Sequence, residues 1–256
     1  MSYLSDIHGA GSFTPLACPS EPPQHRHQVE EVDQSGIALW FSGGGPISPR
    51  MTRWRNWRLA IKRIADIVIS LAVLLLALPF LVAIGLAIRG TSAGGAIFRQ
   101  RREGLGGHPI EILKFRSVYS EHCDEAGLCQ MSRNDPRVTP LGRFLRRTSL
   151  DELPQLVNVL KGEMSLVGPR PHPAGLMAAG QRYQDLVPFY EARLAMKPGI
   201  TGWAQAHGLR GPTCDPEMAR RRVEHDIAYI QNFTLALDAR IVARTFVNEF
   251  LRGSGG

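Results

Sequence analysis

Residues 67–88 read IVISLAVLLLALPFLVAIGLAI, and this stretch decides the fold class. It holds no charged residue and is dominated by Leu, Val, Ile and Ala. As a helix, about 22 residues suffice to cross a bilayer core of roughly 30 Å. Before it stand Arg50, Arg53, Trp54, Arg55, Trp57, Arg58, Lys62 and Arg63; after it come Arg89, Arg99, Arg101 and Arg102. Tryptophan beside arginine suits a membrane interface, and cationic flanks mark the cytoplasmic side. A single crossing would put one cationic flank outside, whereas a hairpin keeps both inside. Pro79, near the middle, removes one helix hydrogen bond, and Ser70 is placed to satisfy a freed backbone group. A hairpin and a spanning helix with a mild kink both fit these residues.

The flanking composition divides the chain into three parts. Residues 1–50 are rich in Gly, Pro, Ser, His and Gln and read as a disordered tail. Residues 51–90 are the basic flank and the membrane helix, and 91–256 form a basic catalytic domain. The net charge of +7 suits a polyanionic partner: nucleic acid, an anionic bilayer or phosphorylated substrates. Cys18, Cys123, Cys129 and Cys214 are irregularly spaced, which argues against a disulfide framework or a zinc site and for reduced cysteines. The first residues lack the pattern of a signal peptide.

Within the domain, Ala96–Arg99 and Ile110–Phe115 read as two strands of a hairpin around the turn 103–107. Residues 119–136 read as a polar loop, and Leu141–Arg147 as a short basic helix. Leu153, Leu156, Val157 and Leu160 share one helical face, with Gly162 as the C-cap. Residues 174–194 and 216–232 are expected to be helical. So is Leu235–Leu251, with Leu237, Ile241, Val242, Phe246 and Phe250 on a broad face that packs on the core, the commoner outcome, or lies at the membrane surface. The fold class is α+β, mainly helical.

Four stretches carry chemistry. Asp151-Glu152 sits at a helix start behind Arg146-Arg147. Taken locally, the pair reads as a cap: Ser149 and Glu152 have capping-box spacing, or Asp151 is itself the N-cap. Chemically, one carboxylate can attack phosphorus while its neighbour holds Mg²⁺. In Gly168-Pro169-Arg170-Pro171, two prolines present an arginine whose fork suits phosphate. Lys197-Pro198-Gly199-Ile200-Thr201-Gly202-Trp203 is a Gly-rich loop without P-loop spacing, in which Trp203 either stacks on a base or fills the core. Lys114-Phe115-Arg116-Ser117 closes the second strand with two cations.

Together, and in this order, these stretches resemble the bacterial sugar transferases, the small monotopic phosphoglycosyl transferases that act on polyprenyl phosphate. The likeness covers roughly residues 58–251 and includes Lys62-Arg63-Ile64-Ala65-Asp66, Phe98-Arg99-Gln100 and Arg222-Val223-Glu224-His225-Asp226. The resemblance implies a re-entrant membrane helix hairpin broken near Pro79, a small cytoplasmic catalytic domain with a short β-hairpin, and a place at the cytoplasmic face of the bacterial inner membrane. It implies Asp151 as nucleophile on a UDP-sugar and Glu152 as the Mg²⁺ ligand. Undecaprenyl phosphate is the implied acceptor, and Pro169, Arg170 and Pro171 contribute to the nucleotide site. Lys114, Arg116, Arg147 and Asp226 are expected to bind phosphate or support the site. The partners are then the UDP-sugar, undecaprenyl phosphate and membrane lipids, with no nucleic acid; homo-oligomerisation stays open. A membrane-tethered nucleic-acid module would explain the charge and the anchor but has no need of Asp151 beside Glu152. A degenerate scaffold member is disfavoured by the intact acidic pair.

Overall fold

The computed structural model describes residues 53–122, 135–211, 213 and 215–248, with the dipeptides 41–42 and 45–46. The expected tail falls outside these residues except for a two-residue ladder pairing β1 (Phe41–Ser42) with β2 (Gly45–Pro46). Most of the expected loop 119–136 and Phe250 also lie outside the described residues.

Helix α1 (Arg53–Thr91) dominates the first part, and Pro79 lies inside it. It is one continuous helical element, so the break expected at Pro79 does not interrupt it. By length and composition it is the one helix among the described residues able to cross a membrane. Lys62, Asp66, Ser70, Ile84 and Ile88 are buried, with Leu59, Leu74, Ala77 and Leu81 half-buried between them. Those positions recur every three or four residues, so a single stripe docks on the domain. The remaining faces are apolar and exposed, with Leu76 reaching 83%. An apolar surface of that extent marks contact with lipid or protein rather than water.

Strands β3 (Ile97–Glu103) and β4 (Pro109–Phe115) pair antiparallel, from Ile97↔Phe115 to Glu103↔Pro109. β3 runs four residues beyond the Arg99 expected from apolar counting. Arg99 and Arg101 alternate outward while Gln100 and Arg102 are half-buried, so the strand continues through charged residues.

Next come α2 (Pro140–Arg147) and α3 (Gln155–Lys161), the latter closed by Gly162 in the left-handed conformation at φ 86°. The α3 face differs from the expected one: Gln155, Leu156, Asn158 and Val159 are buried, while Leu153, Val157 and Leu160 are only half so. The helix is gripped from two sides. Asn158 extends the β4 ladder, accepting from the Leu113 amide at 2.9 Å and donating to the Glu111 carbonyl at 2.6 Å. From the other side, Arg63 of α1 donates to the Val159 and Leu160 carbonyls at the end of α3.

β5 (Ser165–Val167) pairs in parallel with β8 (Gly199–Thr201). Between them lie the small hairpin of β6 (Met177–Ala178) and β7 (Gln181–Arg182), the one-turn helix α4 (Tyr183–Leu186) and a 3-10 stretch Tyr190–Ala195. The expected helix over 174–194 is therefore absent. Gly175 and Gly180 take left-handed conformations, and Pro188 interrupts the remainder.

Helices α5 (Trp203–Ala206), α6 (Pro216–Gln231) and α7 (Leu235–Phe246) complete the domain. Trp203, Tyr229, Phe233, Leu237 and Ile241 form their shared core with Val167 and Met196. Val242 and Phe246, expected in that core, are exposed. A further cluster joins Ile84 and Ile88 of α1 to Phe115, Leu145 and Leu150, tying the long apolar helix to the turn that carries the acidic pair.

Candidate active site

Thr139 caps α2, its hydroxyl accepting from the Gly142 amide, and Pro140 occupies the first turn. Beyond Arg147 the chain reverses through Ser149, which sits in the left-handed region at φ 54°. That conformation costs an L-residue about 1–2 kcal/mol. It leads into a 3-10 turn, Leu150–Glu152, followed by α3. The Ser149 side chain makes no capping hydrogen bond, and Pro154 rather than Asp151 takes the N-cap position of α3. Neither capping arrangement suggested by the local sequence is formed, so both carboxylates are available for other work.

Glu152 is the hub. Its Oε1 accepts from Lys114 Nζ and from Arg170 Nη2, each at 2.9 Å. Lys114 comes from β4 and Arg170 from the loop after β5, so three segments distant in sequence converge on one oxygen. Burial alone would raise the Glu152 pKa, but the Arg170 and Lys114 charges outweigh it and hold the carboxyl well below the usual range.

Asp151 differs. Its residue is 9% exposed, and among the described residues its carboxylate makes no hydrogen bond. Burial first, and the Glu152 charge second, raise its pKa; Lys114, Arg146 and Arg170 oppose the rise. Two neighbouring carboxyls are thus pushed apart in pKa, one clamped as an anion and one unpaired and more basic. That division of roles is typical of reacting acid pairs.

The other expected residues are placed as follows. Pro169 and Pro171 flank Arg170, and the Pro169 carbonyl accepts from the Gly199 amide at 2.9 Å. Asp226 is not beside Glu152. It pairs with Arg193 at 2.9 Å, with both side chains almost fully buried, and Arg193 Nη2 donates to the Arg170 carbonyl. Asp226 therefore acts at one remove, by fixing the arginine that fixes Arg170. Arg116 binds the Ser92 and Ala93 carbonyls and the Ser92 and Ser120 hydroxyls, holding the end of α1 to the hairpin. Arg147 is exposed, and its neighbour Arg146 is the one whose charge acts on Asp151.

One residue of the site's support escaped the sequence reading: Arg193 lies in no phosphate-like motif, and its partner Asp226 is 33 residues away. The Gly-rich segment after Lys197, which the sequence singles out for chemistry, has a structural role instead. A Cβ on Gly168, Gly199 or Gly202 would collide with facing backbone of the β5–β8 layer, so these glycines serve close strand approach. Trp203 is 1% exposed and fills the core.

The residues also fit a divalent cation. Asp151 and Glu152 supply hard oxygen donors on adjacent positions, and only Oε1 of Glu152 is taken up by cations. No cluster of three or more acidic, His or Cys ligands exists among the described residues. Mg²⁺ typically binds through one or two carboxylates and completes its shell with substrate phosphates and water.

Comparison with known proteins identifies the family. Residues 57–252 match the bacterial sugar transferase family. The exopolysaccharide production protein PSS of Rhizobium leguminosarum bv. phaseoli is 49% identical over 197 residues, which covers 77% of this chain and 98% of that protein. The UDP-glucose:undecaprenyl-phosphate glucose-1-phosphate transferase of Escherichia coli (strain K12) is 48% identical over 191 residues, 75% of this chain and 40% of its own length. The undecaprenyl-phosphate galactose phosphotransferase of Salmonella typhimurium is 38% identical over 199 residues, 72% of this chain and 39% of its own. The chain spans less than half of the last two relatives and nearly all of the first. By the family match over residues 57–252 and a 49% identical relative covered almost end to end, the chain belongs to the bacterial sugar transferase family.

Proposed function

We propose that the chain transfers hexose-1-phosphate from a UDP-sugar to undecaprenyl phosphate and releases UMP, the priming step of exopolysaccharide synthesis. The observation that carries this reading is Asp151: a buried carboxylate of raised pKa, free of hydrogen bonds among the described residues, beside a clamped Glu152.

In the first step an Asp151 carboxylate oxygen attacks the β-phosphorus. The bond from that phosphorus to the oxygen bridging the α-phosphate breaks, and UMP leaves with that oxygen. The sugar phosphate is then held on Asp151 as an acyl phosphate. In the second step a phosphate oxygen of the polyprenyl phosphate attacks the same phosphorus and frees the Asp151 carboxylate. The product is a polyprenyl diphosphate sugar. Lys114 and Arg170 turn part of their charge toward the transferring phosphoryl oxygens. Glu152 keeps the two cations in place through Oε1, and its other carboxylate oxygen would help hold Mg²⁺. When bound, the metal offsets charge on the diphosphate.

The acceptor is a lipid, so the site has to work at headgroup depth. We propose that α1, though continuous as a helical element, bends at Pro79 in the bilayer, so that both of its ends lie at the cytoplasmic face as in a re-entrant hairpin. Both of its ends support this. Lys62 and Asp66 pack against β5 and α7, and Ile84 and Ile88 pack against Phe115 and Leu145 of the same domain. A groove lined by Val82, Leu86, Ala96 and Ile97, with Arg89 and Arg99 beside it, offers apolar walls and cations to a lipid phosphate. The placement is at the bacterial inner membrane.

Relatives named for glucose are more similar than the one named for galactose, so UDP-glucose is the first donor to test and UDP-galactose the second. The test is UMP release with undecaprenyl phosphate. Release that needs the lipid and Mg²⁺ supports the reading, and the faster donor identifies the hexose. No release from either donor overturns the hexose assignment.

A further inference from the structure

Away from the acidic pair, buried polar groups join the membrane helix to the strand that leads to Arg170. Lys62 and Asp66 lie one turn apart on α1 and are each 5% exposed. Asp66 accepts from Ser165 Oγ at 2.7 Å and from the Leu166 amide at 3.3 Å. Lys62 Nζ stands 2.6 Å from Asp238 and 4.0 Å from Asp66. Asp238 also accepts from the Tyr229 hydroxyl at 2.7 Å, and that hydroxyl reaches the Val167 carbonyl at 3.2 Å. Ser165 and Leu166 of β5 are thus held to α1 directly through Asp66, and the Tyr229 hydroxyl, its one proton directed mainly at Asp238, lies against Val167.

β5 runs straight into Gly168-Pro169-Arg170. The Gly168 amide donates to the Thr201 carbonyl, and the Pro169 carbonyl accepts from Gly199, each at 2.9 Å. Proline fixes φ on either side of the arginine. With these bonds in place, the short link from Val167 to Arg170 has little freedom to absorb a shift of β5. A cationic flank that merely met headgroups would keep its charges in water. Lys62 and Asp66 are instead desolvated, which is costly unless they are paired in good geometry, as they are here.

We propose that Lys62 and Asp66 are positioning residues: through β5, the membrane helix sets where Arg170 meets Glu152. The helix is then part of the active-site scaffold as well as an anchor. The consequence for catalysis rests on the proposed reaction; the mechanical link does not.

The test pairs hydrogen exchange with kinetics on the full chain in lipid nanodiscs, using Asp66→Ala and the milder Ser165→Ala. Exchange in the peptide covering 167–172 should rise roughly tenfold in Asp66→Ala, as expected when hydrogen bonds to a charged group are lost, and less in Ser165→Ala. Exchange in 97–115 should not change. UMP release should fall in Asp66→Ala and in Arg170→Ala, and the double variant should lose no more than Arg170→Ala alone. Unchanged exchange in 167–172, or losses that multiply in the double variant, would overturn the proposal. If Asp66→Ala does not fold, exchange in Ser165→Ala decides the link. If the wild type releases no UMP from any nucleotide sugar, the proposed function fails while the exchange result still decides the link.

Discussion

The Lys114 ammonium and the Glu152 carboxylate, 38 residues apart in the chain, meet at 2.9 Å. The contact closes a strand against a helical turn, and Arg170 completes it from a third segment. Glu152 thereby stays ionised despite its burial, and burial first, then the Glu152 charge, raises the pKa of Asp151 next to it. Asp151, the proposed nucleophile, is thereby the more basic of the two carboxylates.

Removing either cation should cripple transfer without unfolding the protein. Lys114→Ala and Arg170→Ala are each expected to lower UMP release by about 10²–10³, the usual range for one group that stabilises charge in a transition state. Steady-state kinetics on protein whose melting temperature is checked alongside would measure this. A loss under threefold for both variants would show that the clamp is structural.

The Arg193–Asp226 pair should matter more to stability. Both side chains are almost fully buried, and breaking such a pair by removing one partner costs about 3–5 kcal/mol. Arg193→Met and Asp226→Asn should therefore lower the melting temperature by roughly 2–4 °C per kcal/mol lost. Arg193→Met should also impair transfer, because the Arg170 carbonyl loses its donor. Unchanged melting in both variants would contradict the assigned role.

Ser149 provides a local check on the turn that presents the acidic pair. Its φ of 54° suits glycine, so Ser149→Gly should be at least as stable as wild type, with a gain of up to about 1 kcal/mol. Ser149→Val should be destabilised, since branched residues tolerate this region worst. Chemical denaturation of the three proteins would rank them.

Two buried histidines predict how stability depends on pH. Burial, then the charges of Arg193, Arg222, Arg102 and Arg170, push the His172 pKa well below its ordinary value of 6.5. Burial pushes His225 down to about 4. Below pH 6.5 the unfolded chain binds protons that the folded chain refuses. Stability is therefore full above pH 6.5 and declines as pH falls toward the folded-state values. Each group contributes at most about 1.4 kcal/mol per pH unit. Melting followed from pH 7.5 to 5 should show the decline, and His225→Gln should flatten it. Equal slopes would rule out His225 as a contributor.

The motifs were more legible in the sequence than the contacts that bring them together. The membrane run, the acidic pair and the Pro-Arg-Pro loop are contiguous and conspicuous, and the fold uses all three. The β3–β4 hairpin was legible as two short runs on either side of a Gly-rich turn, although its first strand extends further through charged residues than those runs show. The stretch 174–194 was misread as helix because apolar spacing there coexists with Gly175, Gly180 and Pro188, and the backbone follows the breakers. Asp226, Arg193 and Asp66 act through partners between 33 and 100 residues away. Such pairing leaves no mark in local spacing, so their roles emerge only from the folded chain.

The central claim is that Asp151 carries the sugar phosphate. It is tested most directly by intact and peptide mass spectrometry after incubation with UDP-glucose and Mg²⁺ without lipid acceptor, followed by acid quench. The account predicts a gain of one hexose phosphate on the peptide bearing Asp151. That gain should disappear when undecaprenyl phosphate is added, and it should be absent in Asp151→Asn. A protein that turns over donor and acceptor yet shows no adduct on Asp151, or keeps the adduct in Asp151→Asn, would contradict it.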